Sequence, residues 1–547
     1  MEKRVIIAMV LCGAILLLWQ RLFPPPHPPT PAPTATAPQA SAPSAPSAVA
    51  PTAAAPTPGA GASATHPERQ VILTTPDARY VLSSAGGTLV HAELLQPQFL
   101  MRPGDPSSGH DVVRVDQPGE APFRTAFPES AFATPPDNTW DVSQPDPETV
   151  VFSADVGDYT HIEKLYRVDK TRYRLHLQVT VANRGDKPVD HHLALGVTGR
   201  QDPEKRGGGF FGGVSANTST AVCFVDDKAE RQPLDKLGKD PFDKSGMIRW
   251  IATDEKFFLL AAVPYPEAPP QPRTCRAKSL GEGKGEVTLL FAGRSLQPHT
   301  QTSYAFALFV GPKVRDDLEA VAPGGEEAQL DKAVDVTLAW LSRPILYLLK
   351  FFHRFAHNWG LAIVLLTLFI KLLTFYPTQK SLLSAKKMQK LAPKLTAIRK
   401  KYENDRQRQS VETMNLYKAH GVSPFGGCLP SLIQMPIWIA LYSTLNYAVE
   451  LYRAPFLAHI HDLTAKDPFY ITPLVMGAVM FLQMRMSPSG TDQQQQATMS
   501  VMMPIMFTGF SLFLPAGLAL YMLTSYLIGI VQQLYVNYLE RKGAITA

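Results

Sequence analysis

A lysine inside an otherwise apolar run constrains this 547-residue chain more than any other feature. Residues Trp359 to Tyr376 read WGLAIVLLTLFIKLLTFY, and only Thr367, Lys371 and Thr374 interrupt the apolar character. That is close to the ~20 residues a helix needs to cross a bilayer. A lysine near the middle of such a helix costs about 2.5–3.5 kcal/mol on insertion scales. It then faces a bundle interior or a water-filled cavity, where it is a candidate functional group by default. The competing reading is a lysine near the helix end whose stem snorkels to the cytoplasmic interface. Lys380, Lys386 and Lys387 already supply interfacial charge further on, which favours the cavity.

Four more apolar segments follow, at about 427–448, 469–485, 499–514 and 517–536. At the N-terminus, Lys3 and Arg4 precede the apolar run Val5 to Trp19, which continues through Gln20-Arg21-Leu22-Phe23 into prolines without a small-residue cleavage site. The expectation is an uncleaved signal anchor over 1–23, giving six spans in all. Residues 24–69, mostly Pro, Ala, Ser and Thr, cannot bury enough apolar surface to order themselves and are expected to form a flexible linker. Loop charge sets the orientation. Between 380 and 421 stand eleven cations against Glu403, Asp405 and Glu412. This loop is therefore cytoplasmic, as are both ends of the chain, including the short tail 541–547. Residues 70–328 fall outside.

That outer region reads as strands. Tyr173 to Val181 alternates, with Leu175, Leu177, Val179 and Val181 on one face, and Val287–Phe291 and Tyr304–Val310 are further strand candidates. Gly86-Gly87, Asn183 to Asp186 and Gly207 to Gly209 mark turns. The fold class expected is a polytopic α-helical membrane protein with six transmembrane helices and a large all-β sandwich outside the membrane. Leu330, Val334, Leu338, Leu341, Ile345 and Leu349 recur at spacings of three and four, which predicts an amphipathic interfacial helix over 329–358. Cys223 and Cys275 both lie in the outer region, and sequence leaves open whether they pair.

The span 359–379 leads into a basic segment, 380–426, rich in helix formers, with breaks expected at Pro393 and near Asn404-Asp405. A helical hairpin follows, carrying Lys386, Lys387, Lys390, Lys394, Arg399, Lys400 and Lys401. Its charge suits topology alone, anionic lipid, or ribosomal RNA. Spans 3–6 occupy 427–540. No Gly-x-x-x-x-Gly-Lys-Ser/Thr loop and no His-Glu-x-x-His pair occurs in the sequence. His459-Ile-His461-Asp462 reads as an interfacial loop rather than a metal site, and Ser384-Ala-Lys-Lys387 lacks a partner motif. Nothing assembles a nucleophile, base and orienting group, so no enzyme and no cofactor are expected. An intramembrane lysine also suits a small-anion transporter or channel, although the chain shows no inverted repeat.

The stretch Pro424-Phe-Gly-Gly-Cys-Leu-Pro-Ser-Leu-Ile-Gln-Met-Pro-Ile-Trp-Ile-Ala-Leu-Tyr442 strongly resembles the bacterial branch of the Oxa/Alb membrane-protein insertase family. Further matches are Asn358-Trp359-Gly360, Gln407 to Ser410, His461-Asp462-Leu463, Asp467-Pro468-Phe469-Tyr470, Pro515 to Tyr521, and Gln532-Gln533. The resemblance is dense over about 340–540. It implies five core spans around a hydrophilic groove, open to cytoplasm and lipid and closed on the outer side. Lys371 matches the family's groove cation, often Arg, so this chain keeps the charge without the guanidinium fork. Tyr521 matches a groove tyrosine, and Met522 stands where some members carry a second one. Thr367, Gln434, Tyr442, Thr524 and Gln532 are the remaining candidates for keeping the groove wet. The partners implied are newly made membrane proteins, the Sec translocon, ribosome and signal-recognition components, and the lipid bilayer of the inner membrane, with no DNA.

Overall fold

The alternation in Arg174–Asn183 folds as its period demands: Leu175, Leu177, Val179 and Val181 are all fully buried. The computed structural model describes residues 66–542 apart from 103, 106, 114, 116–117, 202–217, 239–241, 326, 335–337, 404, 422–428, 458 and 487–492. The expected anchor at 1–23, nearly all of the linker, the turn at Gly207 to Gly209, the start of the Pro424 motif and most of the tail lie outside these residues.

Residues 70–312 form an all-β domain. A nine-stranded antiparallel sheet orders its strands Lys228–Pro233, Thr220–Val225, Ile248–Asp254, Phe258–Pro264, Gln301–Pro312, Arg174–Asn183, Thr160–Val168, Thr149–Val156 and Asp141–Asp146. A five-stranded sheet runs Phe242–Gly246, Arg273–Gly281, Lys284–Leu290, Ala194–Arg200 and Arg124–Ala126. A third sheet begins Gln70–Thr74, Ala78–Ser83, Thr88–Leu94. One apolar core joins all three, containing Val179 and Phe306 from the first, Leu195 and Leu289 from the second, and Leu82 and Leu89 from the third. Cys223 and Cys275 are disulfide-bonded between the two larger sheets, with Cα atoms 6.3 Å apart. Closing a loop of 52 residues contributes about 4 kcal/mol in the chain-entropy description.

Two buried charges brace this domain. Lys164 is fully buried and donates to the carbonyls of Gly86 (3.1 Å) and Phe123 (3.0 Å), with its ammonium 5.7 Å from the Trp140 ring and 5.6 Å from that of Tyr166. Desolvation, aided by the Arg124 charge, pulls its pKa down to about 7. Gly87, at φ 56°, packs so closely on Phe152 that a Cβ would lie 3.1 Å from its side chain. Asp254 accepts from Arg231 (2.7 Å) and Lys313 (2.8 Å), and Arg231 also reaches the carbonyls of Lys332 and Ala333.

Those last contacts correct the interfacial helix. Leu330 and Ala333 are fully buried in the β core, so the apolar spacing that begins at Leu330 serves two structures. The helix itself, α1, is Ala339–Ala356. It turns Ser342, Ile345 and Leu349 inward and leaves Trp340, Tyr347, Phe351 and Phe355 exposed.

The helical region continues with α2 (Trp359–Leu373), α3 (Phe375–Lys401), α4 (Arg406–Ala419), α5 (Leu429–Tyr447), α6 (Ile471–Met486), α7 (Gln493–Ser511) and α8 (Ala516–Arg541). Between α2 and α3 the axis bends by 63° at Thr374. Pro377, in the first turn of α3, has no N–H to carry the α2 ladder onward. The break expected at Pro393 does not occur: α3 runs through it, losing one backbone bond on an exposed stretch. Helix α3 ends at Lys401 instead, and Asp405 caps α4 by accepting from the Arg408 N–H at 2.9 Å. Among the described residues, Ala516–Leu539 is the one single helix long and apolar enough to cross a membrane, and the bent pair α2–α3 qualifies jointly.

Candidate functional site

The helices meet the β domain through the α5–α6 loop. Val449 is fully buried in the β core, and Tyr452 sits among Phe99, His110, Phe257 and Phe258 with ring centroids 5.2–5.9 Å away. Lys350 of α1 pairs with Glu450 at 2.7 Å, and Arg453 donates to the Leu100 carbonyl at 3.3 Å. The rest of the loop closes this end of the bundle. Asn358 caps α2 by accepting from the Leu361 N–H (3.0 Å) and donates to the Pro455 carbonyl (3.4 Å). Gly360 lies against the Phe456 ring with no room for a Cβ. The first N–H groups of α8 donate to loop carbonyls, Ala516 to Ala465 at 2.7 Å and Gly517 to Leu463 at 2.9 Å. Asp462 holds the turn between them by accepting from the Thr464 amide and hydroxyl. Thus Asn358-Trp359-Gly360 and His461-Asp462-Leu463 are parts of one seal.

Below the seal runs a polar seam. The Gln434 side-chain amide of α5 donates to the Tyr521 hydroxyl of α8, which is buried. Gln532, also buried, reaches Gln379 of α3 at 3.5 Å. Four candidates stand otherwise. Thr367 and Thr524 return their hydroxyls to their own helices, to Ile363 (2.6 Å) and Leu520 (2.8 Å). Tyr442 stacks on Trp438, 5.8 Å between centroids. Lys371 is half-buried in the last turn of α2, on the face of buried Thr367, and makes no hydrogen bond or ion pair among the described residues. Twelve residues of helix put it roughly 18 Å along the α2 axis from Trp359.

Ser525, Asn537 and Gln483 of this seam escaped the sequence reading, and Gln533 entered it only within a matched motif. Along α8, Tyr521, Ser525, Gly529, Gln533 and Asn537 recur every four residues and share one side of the helix. Gln483 of α6 packs where a Cβ at Gly529 would stand. The Ser525 hydroxyl and the Gln533 side-chain oxygen are buried with no hydrogen-bond partner among the described residues. That four-residue spacing was the signal available. Met522 is buried in the helical core, not placed as a second hydroxyl.

The basic hairpin presents its charge outward. Lys387, Lys390, Lys394, Arg399, Lys400 and Lys401 are exposed and Lys386 is half-buried, while Leu391 and Leu395, one turn apart, are buried. Helix α4 buries no residue.

An all-β domain docked through a loop onto a bundle of apolar helices that carries buried polar pairs is the architecture this chain presents. Residues 70–348 match the model of the YidC periplasmic domain and residues 351–542 that of the 60Kd inner membrane protein. The chain is 33% identical to the membrane protein insertase YidC of Syntrophus aciditrophicus, over 98% of this chain and 99% of the relative. It is 35% identical to that of an Anaeromyxobacter species, over 100% and 98%. A solved structure titled as an active YidC insertase aligns over 86% of this chain and 94% of its own at 17% identity, with a TM-score of 0.37. The chain belongs to the YidC family of membrane protein insertases.

Proposed function

We propose that this chain inserts proteins into the bacterial inner membrane by lending their polar segments a half-depth shelter, with no reaction catalysed and no cofactor. The observation that carries this reading is Lys371: a half-buried cation without a counter-ion among the described residues, on a helix whose neighbouring face is apolar and exposed at Leu361, Leu368 and Leu372. Apolar side chains are likewise exposed on α7 (Val501, Ile505, Met506) and α8 (Leu527, Val531, Leu534), more than a water-facing surface carries. Lipid covers those faces in this reading. Helices α2, α5, α6, α7 and α8 are then the five core spans, with the anchor at 1–23 as a sixth, the two large sheets as an outer sandwich, and both ends in the cytoplasm. The aromatic face of α1 lies on the outer headgroups.

An acidic or polar stretch entering from the cytoplasm leaves bulk water at lower cost beside a cation and the Gln434–Tyr521 and Gln532–Gln379 pairs. The loop seal keeps the seam from becoming a pore. Burial of the client's apolar helix in lipid supplies the free energy. Ribosomes and signal-recognition components dock on the basic hairpin, and clients also arrive through the Sec translocon. The test is purified protein in lipid vesicles given a short single-span client with an acidic translocated tail. Protease-protected tail in these vesicles, and none in protein-free ones, is expected. Uptake of a labelled small anion with no tail protection would instead make the chain a transporter.

A further inference from the structure

We infer that Cys223 and Cys275 are a covalent modification site: the chain is a substrate of thiol–disulfide exchange outside the cytoplasm, and that exchange acts before the two large sheets close over the pair. Cys223 lies on Thr220–Val225 and Cys275 on Arg273–Gly281, each the second strand from one edge of its sheet. Cys223 is flanked in register by Glu230 and Ile251, and Cys275 by Lys244 and Leu289. Both cysteines are 0% exposed, inside the core that the two sheets share.

The chemistry needs access that this geometry denies. One cysteine, as thiolate, attacks an accessible external disulfide R–S–S–R and expels one RS⁻. The other then attacks the cysteine sulfur of the mixed disulfide and expels the second RS⁻. The two cysteines lose two protons and two electrons in all, and the external disulfide leaves as two RSH. Each attack needs a sulfur of the oxidant within bonding reach of a thiolate, and a thiol enclosed between two sheets offers no approach. Oxidation therefore precedes closure. The cytoplasm keeps thiols reduced, so it also follows translocation of the domain. Once the sheets have closed, the same burial shields the bond from reductants.

The test uses the full chain in its own membrane with Cys12→Ser and Cys428→Ser, leaving only this pair, and a maleimide polymer that adds mass per free thiol after denaturation. No shift is expected without reductant, and a double shift after reductant in denaturant. Dithiothreitol given to folded membranes should open fewer than one bond in ten over an hour. Given to cells during a synthesis pulse, it should leave both thiols free in the newly made chains and the bond intact in older ones. Two free thiols in untreated membranes, or equal opening of old and new chains, overturns the inference.

Discussion

Replacing Lys164 with methionine should erase a pH dependence that the fold writes into its own stability. In the folded chain burial holds this lysine near 7, against an ordinary value of 10.5. Between those values the unfolded chain binds one proton more than the folded chain, so stability rises with pH. One proton is worth 1.36 kcal/mol per pH unit, so moving from pH 7.5 to 9.5 should stabilise the β domain by about 2–3 kcal/mol. The window is clear of other shifted groups in this domain. His176 and His191, pushed down by burial, have finished titrating below it. Tyr80 and Tyr166, pushed up by burial, hold protons that the unfolded chain loses above ~10, where stability should turn down again. Trp140, 5.7 Å from the ammonium, supplies the signal for urea unfolding of the full chain in detergent. The wild-type midpoint should climb across the window and the Lys164→Met midpoint should stay level. At its upper end the variant should be the less stable, since the carbonyls of Gly86 and Phe123 lose their donor at about 1–3 kcal/mol each. Parallel slopes in the two proteins would refute the assignment.

Gly360→Ala should destabilise the helical region by about 1–3 kcal/mol, because a methyl has no room against the Phe456 ring. Adding Phe456→Ala should recover part of that loss in detergent thermal unfolding, and strict additivity would contradict the contact. Changing Lys386, Lys387, Lys390 and Lys394 together to Gln leaves seven of the eleven loop cations. Topology should survive while ribosome co-sedimentation falls several-fold, most at low salt where exposed charges are least screened; unchanged binding would reduce the loop to a topology signal. Deleting 70–310 uncovers Val449 and Tyr452, so the shortened chain should insert clients normally once both are changed to Ser. Loss of insertion at normal protein levels would mean that the β domain takes part in it.

Local periodicity made much of this architecture legible. Arg174–Asn183 declares its buried face because strand side chains alternate, and the helix Ala516–Arg541 announces itself by apolar length. What failed involved partners distant in sequence. Leu330 fits the repeat of α1 yet packs in the β core, because Arg231 holds the neighbouring carbonyls there. Pro393 reads as a break, but its exposed helix tolerates one missing bond. Gly360 stood out by resemblance alone, and its reason is Phe456, a ring nearly a hundred residues on. In the seam, Gln434 and Tyr521 were both legible as candidates, but not that they meet. Gln379 and Gln533 look like ordinary polar residues until the helices bring them inside. Tyr452 carries no signal at all, since its cage comes from strands and turns of the β domain.

The central claim is that Lys371 acts as a charge in a wet cavity. At about 6 Å and an effective dielectric of ~20, it attracts a client carboxylate by about 2–3 kcal/mol, roughly a hundredfold in partition. The most direct measurement is the ratio of inserted acidic-tailed to neutral-tailed client in vesicles bearing wild type, Lys371→Arg, Lys371→Ala and Lys371→Glu. Arg should match wild type, Ala should lower the ratio by at least tenfold, and Glu should lower it further. Equal ratios across all four proteins would mean that Lys371 only snorkels to the interface, and the groove mechanism would fall.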